Sequence, residues 1–334
     1  MSGSGFSSKL TSSNGINYIN IGLMLISLVA AYILPFEVFL FSYAILGPLH
    51  YLTEISWLDK KNYFIKSKKD IWLFVLLVIP LTIGMFNAHS KTNAFVGSLI
   101  FSGFVYALII LYVDKLVVKL FLVILTFVIS LVFNFNKYPD LTFLFFAVLL
   151  PTIVHVFIFT GAFILFGALK SKSKSGIISL LIFIICATTF FIYTPDNFGL
   201  AVTDYGKNAY SFFRILNVSL YKIFGFGDLN PNDVSLFISP KAVAVMRFIA
   251  FAYTYHYLNW FSKTSVIKWN QVSKARMAVI LILWITSVIL YAVSYKIGFY
   301  ALYLLSMLHV LFEFPLNHFT FIGIGKELKM IFRK

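Results

Sequence analysis

The sequence predicts an all-α, polytopic transmembrane helix bundle, and three observations carry that prediction. The chain has 334 residues, of which 60% are hydrophobic and only 12% charged. Its mean hydropathy of +0.91 lies far above a soluble globular average. Apolar stretches of about 20 residues, the length a helix needs to cross a bilayer, recur from one end to the other. One transmembrane domain over 17–326 accounts for them, between a disordered Ser/Gly-rich tail at 1–16 and a basic cytoplasmic tail at 327–334.

About ten spans follow in order, at 17–35, 38–58, 71–87, 94–113, 116–134, 141–169, 176–194, 243–262, 275–295 and 299–324. The connections between them alternate in charge. Lys60, Lys61, Lys66, Lys68 and Lys69 follow the second span, and Lys115 and Lys119 the fourth. Lys170, Lys172 and Lys174 follow the sixth, and Lys263, Lys268, Lys274 and Arg276 the eighth. Lys326, Lys329, Arg333 and Lys334 close the chain. The connections after the first, third, fifth and ninth spans hold at most one lysine each. Cytoplasmic loops collect Lys and Arg, so both termini are expected in the cytoplasm. The formal charge of +15 is then a matter of membrane orientation and gives no reason to expect nucleic acid as a partner.

The connection at 195–242 departs from this alternation, with four basic and four acidic residues. Within it, YGKNAYSFFRILNVSLYKIFGFG sets apolar residues at helical spacing, which predicts an amphipathic helix on the outer surface. The polar start has no small-residue cleavage site after the first apolar run and reads as a tail, not a cleaved signal peptide. The single Cys186 excludes a disulfide framework and a cysteine metal site. Asp228, Asn230 and Asn232 imitate the start of a calcium loop. Asp233 and Ser239 stand where that loop needs Gly and Glu, so a plain turn is expected.

Chemistry is suggested by the polar residues at membrane depth. His50 and Glu54 stand four apart in GPLHYLTEISW, and His309 and Glu313 four apart in MLHVLFEFPLNHF. That spacing puts each pair on one helix face. Ionisable groups inside a bilayer cost several kcal/mol and usually mark a functional interior. His50, His155, His256 and His309 lie on spans that all run from outside to inside. Counted from the outer ends, they fall within roughly 6 Å of one another in depth at 1.5 Å rise per residue.

Four imidazoles at one level suit iron, zinc or copper, and Glu54 and Glu313 can join or orient them. His318, slightly deeper, is a further candidate, whereas His89 falls in an outer connection and is expected to be solvated. Interhelical hydrogen bonding is the competing explanation for each of these histidines. Pro48, Pro151 and Pro315 precede histidines by two to four residues, and a proline frees a backbone carbonyl next to a cavity. Tyr253, Tyr255, Tyr257 and Asn259 surround His256 and are candidates to line an apolar substrate channel. An aromatic belt at the inner interface is the alternative for such residues, Trp57 and Trp260 above all.

GPLH, YTYHYLNW and FPLNHF together resemble the Brp/Blh family of membrane β-carotene 15,15′-dioxygenases. The resemblance implies an all-helical fold in a bacterial or archaeal inner membrane and Fe(II) held by histidines. It also implies oxidative cleavage of a carotenoid. His50 resembles the histidine of the family's early Gly-Pro-His-Gly-type motif, with Leu49 inserted and Tyr51 in place of glycine. His256 resembles the first of a later pair spaced four apart. The second position here is Trp260, and Asn259 is the nearest polar residue.

Two functions therefore stand as expectations. One is a histidine-ligated intramembrane metalloenzyme, a non-haem iron oxygenase acting on an apolar lipid such as a carotenoid, with membrane lipids as its surroundings. The dense His-x-x-x-His and His-x-x-His-His clusters of acyl hydroxylases and desaturases do not occur. The other is a transporter or channel in which His and Glu relay protons or bind a cation. An inverted repeat would support it, but the two His-Glu spans run in the same direction.

Overall fold

Of these apolar runs, eight become described helices long and apolar enough to cross a membrane. The computed structural model describes residues 13–61, 68–85, 90–136, 143–195 and 199–333, and among these it contains helices and no strands. The chain is a multi-pass helical membrane protein. Helix α1 covers Ser13–Ile33 and starts ahead of the expected position 17. Helices α2 (Pro35–Phe41) and α3 (Gly47–Lys61) flank a π-helical turn at Ser42–Leu46 and form one span. Then come α4 (Lys68–Met85), α5 (Ser90–Tyr112) and α6 (Leu116–Asn136). A π-helical stretch, Phe143–Phe159, leads into α7 (Thr160–Ser171), followed by α8 (Lys174–Ile192).

Short helices α9 (Asp204–Ala209), α10 (Arg214–Ile223) and α11 (Ser235–Ile238) fill the long connection. Helix α12 (Pro240–Ser262), the short α13 (Thr264–Ile267), α14 (Lys274–Val293) and α15 (Tyr295–Phe332) complete the chain. His89 lies outside the described residues.

Ten helices or fused helices thus stand where ten spans were expected, but two fall short of the length and hydropathy of the other eight. The described apolar part of α4, Asp70–Gly84, is shorter than each of the other eight. Helix α12 has a different reason: every residue from Ala244 to Tyr257 is buried. A helix sheltered by protein on all sides can carry Arg247, His256 and Asn259 at little cost, because it meets no lipid. Helices α6 and α14 show the opposite case. Val117, Phe121 and Ile124 are 78%, 62% and 60% exposed, and Ile282 is 63% exposed, as lipid-facing residues are.

The chain divides into two compact units, Met1–His50 with Val156–Ala278 and Phe321–Lys334, and Tyr51–His155 with Val279–Thr320. In the first, α12 is the central helix, packed on α1, α2, α8 and α10. Phe39 meets Tyr210, Phe213 and Tyr253 edge-on at 5.7, 4.8 and 5.0 Å. The amphipathic segment expected in the long connection is α10. Its Leu216, Leu220 and Tyr221 are buried against α12, and Ile215 and Ile223 stay exposed.

In the second unit, α5 packs between α4 and α6. The rings of Phe74 and Phe312, and of Phe104 and Phe314, meet at 5.1 and 4.7 Å. Gly103 lets α5 approach Leu311: a Cβ at Gly103 would stand 3.2 Å from a Leu311 methyl.

Lys119 corrects the reading of it as a loop lysine. It lies in the first turn of α6, 2% exposed, with its ammonium 2.7 Å from Oδ1 of Asp70, itself 1% exposed. The Tyr106 hydroxyl donates to the same carboxylate at 3.3 Å.

Candidate metal centre

The second unit brings two histidines and two carboxylates together. His155 comes from the π-helical stretch that contains Pro151, and His309 from the middle of α15. Their Nε2 atoms stand 3.2 Å apart and the rings meet at 78°. Both residues are at most 3% exposed. Nδ1 of His155 lies 2.9 Å from Oε2 of Glu313, which is one turn beyond His309 on α15. The contact is one of distance and not an aligned hydrogen bond, and it sets a carboxylate on the side of the ring away from His309.

The ring of Tyr51 stacks on His309 at 4.2 Å and 23°, which holds that imidazole in its plane. Glu54, 2% exposed on α3, has a carboxylate oxygen within 4.8 Å of a His309 nitrogen. Glu54 and Glu313 are also close enough to interact electrostatically.

The first unit holds a second pair. His50, near the start of α3, and His256, in α12, place their Nε2 atoms 3.1 Å apart with rings at 78°. Thr160, the first residue of α7, sets its hydroxyl 2.8 Å from Nδ1 of His256. Tyr257 and Trp260 lie 5.3 and 5.4 Å from the His50 ring. The π-turn at Ser42–Leu46 immediately precedes this site, and such turns gather at functional positions.

The remaining candidates are placed elsewhere. Nε2 of His318 is 2.7 Å from the Tyr112 hydroxyl, away from the pair on its own helix. Tyr253 belongs to the cluster around Phe39 and Tyr43. Tyr255 donates to Asn20 at 3.2 Å and to Asn259 at 3.4 Å. Of the four residues expected to line a channel, Tyr257 lies against both members of the His50–His256 pair, 5.3 Å from the His50 ring and 5.4 Å from the His256 ring.

Thr160 and Tyr51 carry no signal in the sequence, since a threonine or a tyrosine in a membrane helix is ordinary. Lys119 did carry one, a lysine inside the apolar run LVVKLFLV.

Nitrogens bound at 2.0–2.2 Å to one ion, at angles between 90° and tetrahedral, stand about 3–3.5 Å apart. Both imidazole pairs meet that separation, and one of them has a carboxylate behind it. The class defined by fold and site is a multi-pass helical membrane protein with paired buried histidines. No family model, no curated protein and no solved structure matches the chain.

Proposed function

We propose that the chain is a histidine-ligated intramembrane metalloenzyme, a non-haem iron oxygenase acting on an apolar lipid such as a carotenoid. The observation that supports it most is His155, whose Nδ1 lies 2.9 Å from Glu313 and whose Nε2 lies 3.2 Å from His309. A carboxylate-backed imidazole facing a second imidazole is the usual dress of a metal ligand. Two imidazoles and one carboxylate form the donor set that non-haem iron oxygenases use. In this reading His309 and Glu54, within 4.8 Å of each other, supply one imidazole and the carboxylate, and His155, facing His309, supplies the second imidazole.

Iron held by these residues would supply activation of dioxygen. The chain's own residues do the rest. Glu313, 2.9 Å from Nδ1 of His155, helps to orient that ring, and Tyr51 fixes the plane of His309. His50 and His256, steadied by Thr160, add a second imidazole pair of the same type. Buried surroundings keep water from reactive species. The resemblance of GPLH, YTYHYLNW and FPLNHF to carotenoid-cleaving membrane oxygenases supports the choice of iron and of a carotenoid.

The test is metal analysis of protein purified in detergent from iron-supplemented cells. We expect bound iron in the wild type. His155→Ala and His309→Ala should each at least halve it, and His318→Ala should leave it unchanged. The iron-loaded protein should consume oxygen and shorten β-carotene in mixed micelles, and Glu54→Gln should not. Protein that carries no transition metal overturns the reading. The same residues would then serve proton transfer, and acid-driven uptake by proteoliposomes that fails in Glu313→Gln would identify it.

A further inference from the structure

On the first unit, away from the His50–His256 pair, α12 borders a cleft of about 300 Å³ between the ends of α1, α7 and α12. Ile16, Phe163, Ile164 and Val266 give it apolar walls. Asn20, Asn259 and Lys263 line it with polar groups. Asn20 and Asn259 are 3% and 8% exposed and are held by Tyr255, whose hydroxyl donates to both. Ser262 donates to the same Asn20 oxygen at 3.1 Å.

Lys263 ends α12, partly buried, and among the described residues no carboxylate pairs with it. Removal from water pulls its ammonium down to about 8, so it is still charged at neutral pH but poorly solvated. Next to the cleft, sharing Ser171, a second groove is lined by Lys172, Lys174, Ser173 and Ser175. An apolar slot that ends at a partly buried cation, beside a basic hydroxyl-rich groove, has the two-part chemistry of an amphiphile.

We propose that this cleft binds one acyl chain carrying an anionic head group, with the head at Lys263 and the chain against Phe163 and Ile164. The volume suits one chain, being at the small end of ligand sites. The order of the spans puts Lys263 and Ser171 at the cytoplasmic face, where anionic lipids attract basic residues. The head is either the carboxylate of a free fatty acid or the phosphate of a phospholipid. The proposal does not depend on a metal.

The experiment measures binding to delipidated protein in detergent by tryptophan fluorescence. The probes are oleate, phosphatidylglycerol, phosphatidylcholine and oleyl alcohol. An ion pair with a poorly solvated lysine should make the better anionic probe bind about tenfold more tightly than oleyl alcohol. Lys263→Gln should remove that difference, and Lys268→Gln, at an exposed lysine five residues on, should keep it.

Gly167→Leu gives a second arm. It lines the cleft, and a Cβ there meets nothing within 4 Å, so the helix tolerates leucine while the slot fills. That variant should weaken oleate and oleyl alcohol alike. Whichever of oleate and phosphatidylglycerol binds more tightly to the wild type identifies the source of the head group. Equal binding of charged and uncharged probes overturns the proposal. So does an anionic preference lost as much in Lys268→Gln as in Lys263→Gln, or oleate binding that neither Lys263→Gln nor Gly167→Leu changes.

Discussion

Glu313 and Thr160 each stand against Nδ1 of a histidine. Glu313 brings a carboxylate to 2.9 Å from Nδ1 of His155. Glu313→Gln keeps the size and loses the charge. Loss of such an orienting carboxylate typically lowers metal affinity 10–100-fold. Competition with a chelator would measure it, and an affinity equal to wild type would reduce Glu313 to a packing role.

Thr160→Val tests the other pair. The substitution keeps the shape and removes the hydroxyl 2.8 Å from Nδ1 of His256, leaving a buried nitrogen with one partner fewer. The cost should be about 1–3 kcal/mol of stability. Thermal unfolding in detergent reads it, with Thr160→Ser as the variant that recovers it.

The separation of His318 from His309 was legible in helical geometry alone. It is nine residues beyond His309, and nine steps of 100° are two and a half turns, which puts it on the opposite face of α15. Depth along an axis carries no information on rotation about it. Tyr253 and Asn259, three residues to either side of His256, share its side of α12, yet Tyr253 packs on Phe39 and Tyr43, and Asn259 accepts from Tyr255.

Among the elements, α4, α5 and α6 are fastened by Asp70, Tyr106 and Lys119. Removing one partner of a buried ion pair leaves a lone charge in a dry setting, and roughly 3–5 kcal/mol is the usual loss. Lys119→Met alone should therefore lower the unfolding temperature markedly. Asp70→Asn with Lys119→Met should recover most of it, because neither charge remains. If the double variant is no more stable than Lys119→Met, the pair does not act as a unit.

The apolar runs made the helices themselves legible, since each run of about 20 residues has only one way to satisfy its backbone in lipid. What stayed hidden was which helix is central. Helix α12 is among the more polar of the runs and is the most buried, because Tyr253, His256 and Asn259 are sheltered by neighbours that come from distant parts of the chain. Hydropathy reports lipid exposure, and a helix with none escapes it.

The arrangement of ends bears on how the whole molecule crosses the membrane. In the first unit, Asn14 and Asn17 at the start of α1 share hydrogen bonds with Ser173 and Ser175 at the α7–α8 turn. The start of α1 and the lysines 170, 172 and 174 are therefore at one level. Gly323, near the end of α15, packs on the ring of Phe166 close to that same turn. At the other end of α1, Ile33 accepts a hydrogen bond from the Leu200 amide at 2.8 Å, which ties the long connection to the opposite level.

In the second unit, Asp70, Tyr106 and Lys119 set the start of α4, the end of α5 and the start of α6 together, as chain alternation requires. Positive loops stay in the cytoplasm, so both termini belong there and the connection around Asp228 belongs outside. An alkaline phosphatase fusion at Asp228 should be active, and one after Lys334 inactive. A fluorescent protein after Lys334 should glow. Active phosphatase after Lys334 would mean an odd number of crossings. The expectation that His50, His155, His256 and His309 share a depth would fail with it, since that count assumes four helices running the same way.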